Sequence, residues 1–271
     1  MSPMSKVQSP KPRLESSAAD SHDLRAGNEK RDPTQLAQAD FGPRTLDVGL
    51  TVTDLRKAFV SPSGERLEVL RGISFSAVPG ETIAILGASG AGKSTLLHLV
   101  GGLEVPDHGS IKLGEFRVES ARRAELARHR NAHIGVVFQF HHLLPDLTAA
   151  ENVCLPLIVA RHDRRQAMRS ALAALDRVGL AARAAHRVTD LSGGEQQRIA
   201  VCRALIAEPR LVLADEPTGN LDSNSSGLLA DDLISYAATR EAIVLIATHN
   251  QDLAQRCDRV LTLEQGKTCE H

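Results

Sequence analysis

Leu46, Val48, Leu50 and Val52 alternate with less apolar neighbours, and Ile73, Phe75 and Ala77 repeat the same period of two. A period of two puts one face of a strand in a core and the other toward water, so both segments are predicted strands of an antiparallel sheet. The pattern then changes to short unbroken apolar runs: Ile83–Leu86, Ile134–Phe138, Leu211–Ala214 and Ile243–Ala247. Strands buried on both faces read this way, as they do in a parallel sheet flanked by helices. Helical spacing separates the runs. One helix is predicted from Lys93 to Val100, and Met168, Leu172, Leu175 and Val178 mark the apolar stripe of another. The expected architecture is an α/β sheet with a β-rich entry and a helical insertion at about residues 140–200. No internal repeat is visible.

Residues 1–44 contrast with this. They are rich in Ser, Pro, Ala, Asp, Lys and Arg and poor in large apolar residues, a composition that buries too little surface to offset its ordering entropy. A disordered tail is predicted there, followed by one folded domain over 45–271. The first thirty residues lack an apolar core of the signal-peptide kind. The longest apolar stretch, Val153–Ala160, is interrupted by Pro156 and falls far short of the ~18 residues of a membrane span. A role at a membrane therefore requires other chains to supply the spanning part.

Composition narrows the function classes. The formal net charge is −1, which offers no dominant nucleic-acid-binding face. With no Trp, one Tyr and six Phe, base-stacking platforms are not expected either. Cys154, Cys202, Cys257 and Cys269 form no Cys-x-x-Cys pair, which argues against a zinc ribbon or a disulfide framework and fits small buried hydrophobes in a reducing compartment.

Three segments carry chemistry. Gly87-Ala88-Ser89-Gly90-Ala91-Gly92-Lys93-Ser94 fits G-x-x-x-x-G-K-[ST] between a predicted strand and a predicted helix, the setting in which this motif binds phosphate. Its glycines let consecutive N–H groups converge on phosphate oxygens, and the helix start adds positive potential. Lys93 is placed to neutralise the β- and γ-phosphates of a nucleoside triphosphate, Ser94 to ligate Mg2+, and Thr95 to reach the α-phosphate. Leu211–Glu216 is an apolar strand ending in two carboxylates. Successive strand side chains point to opposite sides, so the two divide the work: Asp215 holds Mg2+ and Glu216 polarises the attacking water. Leu191-Ser192-Gly193-Gly194-Glu195-Gln196-Gln197-Arg198 sets two glycines directly before a helix, a second anion-binding helix start. Ser192 and Glu195 also spell a capping box, which leaves the glycine pair between them unexplained.

On these segments the chain, from residue 46 to its end, resembles the ABC ATPase family. The resemblance implies a P-loop NTPase core of the RecA-like kind, mainly parallel, with an antiparallel β subdomain and an inserted helical subdomain. It implies that Ser192, Gly193, Gly194 and Glu195 act in trans on nucleotide held by a second copy, so that a homodimer closes around two ATP molecules. Gln139 matches the glutamine that senses Mg2+ and the attacking water, Asp222 in Gly219-Asn-Leu-Asp222 the loop crossing the dimer interface, and His249 the γ-phosphate contact. Phe59 stands where the family usually stacks a Tyr under adenine. One departure is Asn250, where the family usually has Asp after the histidine.

Phe138–Val153 and Leu211–Asp222 resemble the ATPase subunits of bacterial lipoprotein-releasing systems, with macrolide-efflux and cell-division ATPases sharing much of the pattern. The implied role is a peripheral subunit at the cytoplasmic face of the inner membrane that drives integral-membrane permease subunits. Leu143, Leu144, Leu147 and Val153 are then expected to line the groove that receives them. His141 and His142, adjacent and without a carboxylate motif, do not spell a metal site. A DNA-repair or translation ATPase is disfavoured by the single cassette, the absence of a long coiled-coil insertion and the lack of basic excess.

Overall fold

The computed structural model describes residues 49–219 and 221–270. The tail over 1–44, the alternating positions Leu46 and Val48, and Asn220 of the Asp222 loop lie outside the described residues. Strand β1 (Leu50–Val60) pairs antiparallel with β2 (Arg66–Ala77), and the period-two positions meet as expected, Val52 opposite Phe75 and Leu50 opposite Ala77. The next strand, β3 (Thr82–Leu86), leads through the glycine-rich turn into α1 (Lys93–Val100). β4 (His108–Leu113) and β5 (Phe116–Arg117) complete an antiparallel sheet of order β2-β1-β4-β5.

Helix α2 (Arg123–His133) runs directly into β6 (Ile134–Val137). Three helices follow, α3 (Ala149–Val159), α4 (Arg164–Arg177) and α5 (Gly193–Leu205), forming the insertion read from the sequence. The chain then returns through β7 (Leu211–Asp215), α6 (Ser223–Arg240), β8 (Ile243–Thr248), α7 (Gln251–Ala254), β9 (Arg259–Glu264) and β10 (Lys267–Glu270). The second sheet has the order β10-β9-β3-β8-β7-β6 and is parallel except at β10. Its central strands are buried on both faces, which is why they read as unbroken apolar runs. One core fills the space between the two sheets around α1, a second lies beneath α5 and α6, and a third sits inside the helical insertion.

The insertion departs from expectation in one helix. The buried face of α4 is Ala167, Ala171, Ala174 and Leu175, while Leu172 is 43% exposed and Met168 and Val178 are only partly buried. Alanines at this spacing let the α4 backbone approach α3 and α5 closely, so the contact face is turned from the stripe that large residues suggest. Val153 is likewise fully buried in the insertion core, with Leu143 packed against it, so these two belong to the fold. Leu147 is half-buried, and of the four only Leu144 is well exposed, at 45%. The cysteines divide: Cys154 and Cys202 are buried, but Cys269 is exposed because it lies on the edge strand β10.

The face of α2 toward β5 carries a titratable stack. The His129 ring lies flat on Phe116, with centroids 3.7 Å apart and planes 5° from parallel, and His133 follows 4.8 Å away. Burial, then the charges of His133 and Arg210, lower His129 to about 4. Such a histidine takes up its proton in the unfolded chain first, so native stability is unaffected above about pH 6.5 and falls as pH drops toward 4. His129→Phe keeps the stacked ring and removes the titration. Its urea midpoint is expected to decline less between pH 7 and pH 5 than that of the parent, and equal declines would show that His129 carries no such linkage.

Candidate nucleotide-binding site

In the parallel sheet, hydrogen bonding brings Leu86 level with Thr248, Asp215 with Ala247, and Val137 with Ala214. The carboxyl ends of β3, β8, β7 and β6 therefore share one edge, and the segments that follow them converge there. A crevice at this edge is where open α/β sheets bind ligands. Here it is a cavity of about 610 Å3 whose lining includes Phe59, Ser89, Gly90, Gly92, Lys93, Ser94, Thr95, Gln139, Asp215, Glu216 and His249.

The turn after β3 is shaped by glycine. Gly90 and Gly92 have φ of 81° and 103°, a region that side chains disfavour. A Cβ on Gly92 would also lie 2.9 Å from Leu70 Cδ2, and one on Gly87 2.6 Å from Leu263 O. Gly92 is the N-cap of α1 and supplies no side-chain cap, so the first N–H groups of that helix have no capping side chain. Ala88 and Ala91 complete the turn through Ala91 N–H donating to Ala88 O at 3.2 Å.

Lys93 is buried and folds back over this turn. Its Nζ donates to Gly87 O at 2.8 Å and to Ala88 O at 3.2 Å, and lies 3.6 Å from Glu216 Oε1. Glu216 is held from several sides. Its backbone has φ 44°, a left-handed conformation costing of order 1–3 kcal/mol for a residue with a side chain, and its N–H donates to Ala247 O at 2.8 Å. One carboxylate oxygen accepts from Thr248 Oγ1 at 3.2 Å and His249 N–H at 3.4 Å. The other lies 2.9 Å from His249 Nδ1, whose side chain is 71% exposed. Asp215 Oδ1 is buried and makes no hydrogen bond. Asp215, with this orphaned buried oxygen, lines the cavity together with Ser94 and Gln139, and a set of oxygen donors of this kind suits a hard divalent cation.

Phe59, on β1, is 40% exposed and lines the cavity, with Lys57 Nζ 5.2 Å from its ring centroid. Lys57 in turn donates to Glu104 and Val105 O, fixing the end of the strand.

Two predicted groups lie elsewhere. Ser192, Gly193, Gly194 and Glu195 are not in this cavity. They open α5 with the capping box read from the sequence: Glu195 N–H donates to Ser192 Oγ at 3.3 Å, and Ser192 N–H to Glu195 Oε2 at 2.9 Å. The backbone bond from Ser192 comes first among the interactions that hold the Glu195 carboxyl below its usual range, and Arg183 at 3.1 Å contributes. Asp222 caps the start of α6, accepting from Ser225 N–H at 3.0 Å. It borders neither the 610 Å3 cavity nor a second one, of about 400 Å3, which shares Glu216 and His249 with it.

The ABC transporter family model matches residues 70–219, more than half of the chain. The chain belongs to the ABC transporter family. It is 48% identical over 219 residues to the lipoprotein-releasing system ATP-binding protein LolD of Geobacter metallireducens, covering 80% of this chain and 96% of that protein. To the protein of the same name from Paramagnetospirillum magneticum it is 46% identical over 222 residues, covering 82% and 98%. Among solved structures it resembles the dimeric post-hydrolysis state of the ATP-binding cassette MJ0796 bound to ADP and Pi, with a TM-score of 0.78, 32% identity, and coverage of 82% of this chain and 97% of that one. As a member of this family the chain is an ATP-binding subunit of an ABC transporter and an ATPase.

Several supporting residues of this cassette escaped the sequence reading. Thr248, fully buried, receives the Asn250 N–H at 3.0 Å while donating to Glu216. Gln197, 2% exposed, donates to Pro217 O at 2.8 Å and ties α5 to the turn after Glu216. The signal for Thr248 was a polar residue ending the apolar run from Ile243, whereas Gln197 lies among Glu195, Gln196 and Arg198 and carried no such signal. Thr248→Val keeps the shape and removes the hydroxyl, leaving Asn250 N–H and one Glu216 oxygen without that partner. A loss of about 1–3 kcal/mol in urea denaturation is expected, and an unchanged midpoint would show that the hydroxyl is dispensable to the fold.

Proposed function

We propose that two copies of this cassette close around two ATP molecules, each held by the Gly87–Thr95 turn of one copy and the Ser192–Glu195 segment of the other. The observation that carries the reading is the glycine pair. A Cβ on Gly193 would meet nothing within 4 Å, one on Gly194 would touch only Leu221 Cδ2 at an ordinary 3.5 Å, and neither residue has positive φ. Nothing among the described residues requires glycine there, so a ligand approaching from outside is what the missing side chains admit. MJ0796, the solved relative, is dimeric.

In this reading Lys93 exchanges its carbonyl partners for the β- and γ-phosphate oxygens, and the α1 helix start and Thr95 take the remaining phosphate contacts. Phe59 offers its ring to the adenine. Ser94, Asp215 and Gln139 hold Mg2+, which when bound neutralises phosphate charge. Glu216 orients the attacking water and accepts its proton, while His249 turns from the Glu216 carboxylate toward the γ-phosphate. Asp222 stiffens the loop that meets the second copy.

The names of the relatives support a reading of the cargo. Proteins named as ATP-binding components of the lipoprotein-releasing system align along nearly their whole length, so we read this chain as driving lipoprotein release through integral-membrane permease subunits. No described helix is long and apolar enough to cross a membrane, which is consistent with a peripheral subunit working at the cytoplasmic face of the inner membrane. The reading assigns no nucleic-acid partner.

Glu216→Gln preserves shape and removes the base. It is expected to retain ATP binding, to lose turnover by about a hundredfold or more, and to run as a dimer in size-exclusion chromatography with Mg-ATP. Parental turnover would remove Glu216 from the mechanism, and a monomer under these conditions would overturn the shared site.

A further inference from the structure

Arg203, near the end of α5, is partly buried, and among the described residues no carboxylate forms an ion pair with it. Its fork is spent on backbone instead: Nη1–H donates to His142 O at 2.6 Å and Nη2–H to His141 O at 2.7 Å. A planar guanidinium fork that meets two successive carbonyls fixes the position of both, which a single-point donor would not do. The carbonyls belong to the segment that follows Gln139, and His142 there has φ 46°, strained for a residue with a side chain. The His142 ring also meets Phe138 edge-on, with centroids 4.9 Å apart, so the residues flanking Gln139 are tied on both sides.

The same helix is fastened a second time. Gln197 Nε2 donates to Pro217 O, immediately after Glu216. One rigid element, whose first residues are the Ser192–Glu195 segment, is thus bonded both to the loop of Gln139 and to the loop of Glu216. Neither link was legible in sequence, because each joins a side chain to distant backbone.

We propose that Arg203 is a positioning residue for ATP hydrolysis, holding the strained turn at His141–His142 so that Gln139 moves with α5. The inference rests on the reading of Gln139 as part of the nucleotide site. It makes the Arg203 fork the connection through which engagement of the glycine end of α5 is registered at Gln139 in the same copy.

The test is a double-mutant cycle in the full-length chain with Arg203→Lys and Gln139→Ala. A lysine ammonium carries the charge but cannot match the planar fork on both carbonyls. Expected for R203K are a KM for Mg-ATP within about threefold of parent, a kcat lowered about tenfold or more, and no further loss of kcat when R203K is added to Q139A, as for a residue that acts only through Gln139. Arg203→Gln, which buries no charge, serves where R203K does not accumulate folded, with the same split expected. A variant that lowers the urea midpoint but keeps parental kcat, or losses that multiply in the double variant, would overturn the clamp while leaving Gln139 in the site. Parental kcat in Q139A alone would instead remove Gln139 from the reaction, and the clamp with it.

Discussion

The nucleotide site depends on strand register. Hydrogen bonding between β3, β8, β7 and β6 fixes where each strand stops, so the segments carrying Lys93, His249, Glu216 and Gln139 begin at one edge. Groups that act on one reacting centre must be held to about half an ångström, which strands buried on both faces provide better than free loops. The Lys93–Glu216 contact of 3.6 Å is a product of that register, since the two residues follow strands that are next-but-one neighbours in the sheet. A buried ion pair of this kind adds little net stability, because desolvation offsets attraction. Its consequence is geometric: ammonium and carboxylate already face the same cavity.

The two glycine-bearing helix starts differ in how they are finished, and the difference separates their roles. At α1 the N-cap is a glycine with φ 103° and no side-chain cap, and two of the turn's glycines are sterically obligatory within the chain. At α5 the cap is complete, with Ser192 and Glu195 satisfying each other, and the glycines have open space around them. The first start is shaped within its own chain and leaves its leading N–H groups without a capping side chain. The second is capped by its own residues, and the proposed shared site uses it as a surface that docks on nucleotide held by the other copy.

The strands, the P-loop and the paired carboxylates were legible because each imposes a local rule: period two, an unbroken apolar run, or glycines at fixed spacing before a helix. The start of α1 at Lys93 was legible for that reason. The α4 face was misread because size was taken for burial, whereas close helix packing selected Ala167, Ala171 and Ala174. Val153 was misassigned to a groove because sequence shows that a residue is apolar and not which neighbour covers it. Thr248, Gln197 and Arg203 were missed for another reason. Apart from the Asn250 N–H two positions from Thr248, their partners are backbone or carboxylate groups between 20 and 62 positions away, and no periodicity encodes such a pairing.

Asn250 shows how a departure from the family pattern is absorbed. Its side chain caps α7, Oδ1 accepting the Leu253 N–H at 3.2 Å, and its own N–H donates to Thr248 Oγ1 at 3.0 Å. Asn caps a helix start about as well as Asp, so the turn that delivers His249 keeps its geometry. Thr248 is thereby oriented, and it is Thr248 that donates to Glu216. What the amide changes is charge: one carboxylate fewer stands near the Glu216 edge, where triphosphate must also be accommodated. The substitution preserves the chain of bonds that positions the Glu216 carboxylate and lowers the negative charge around it.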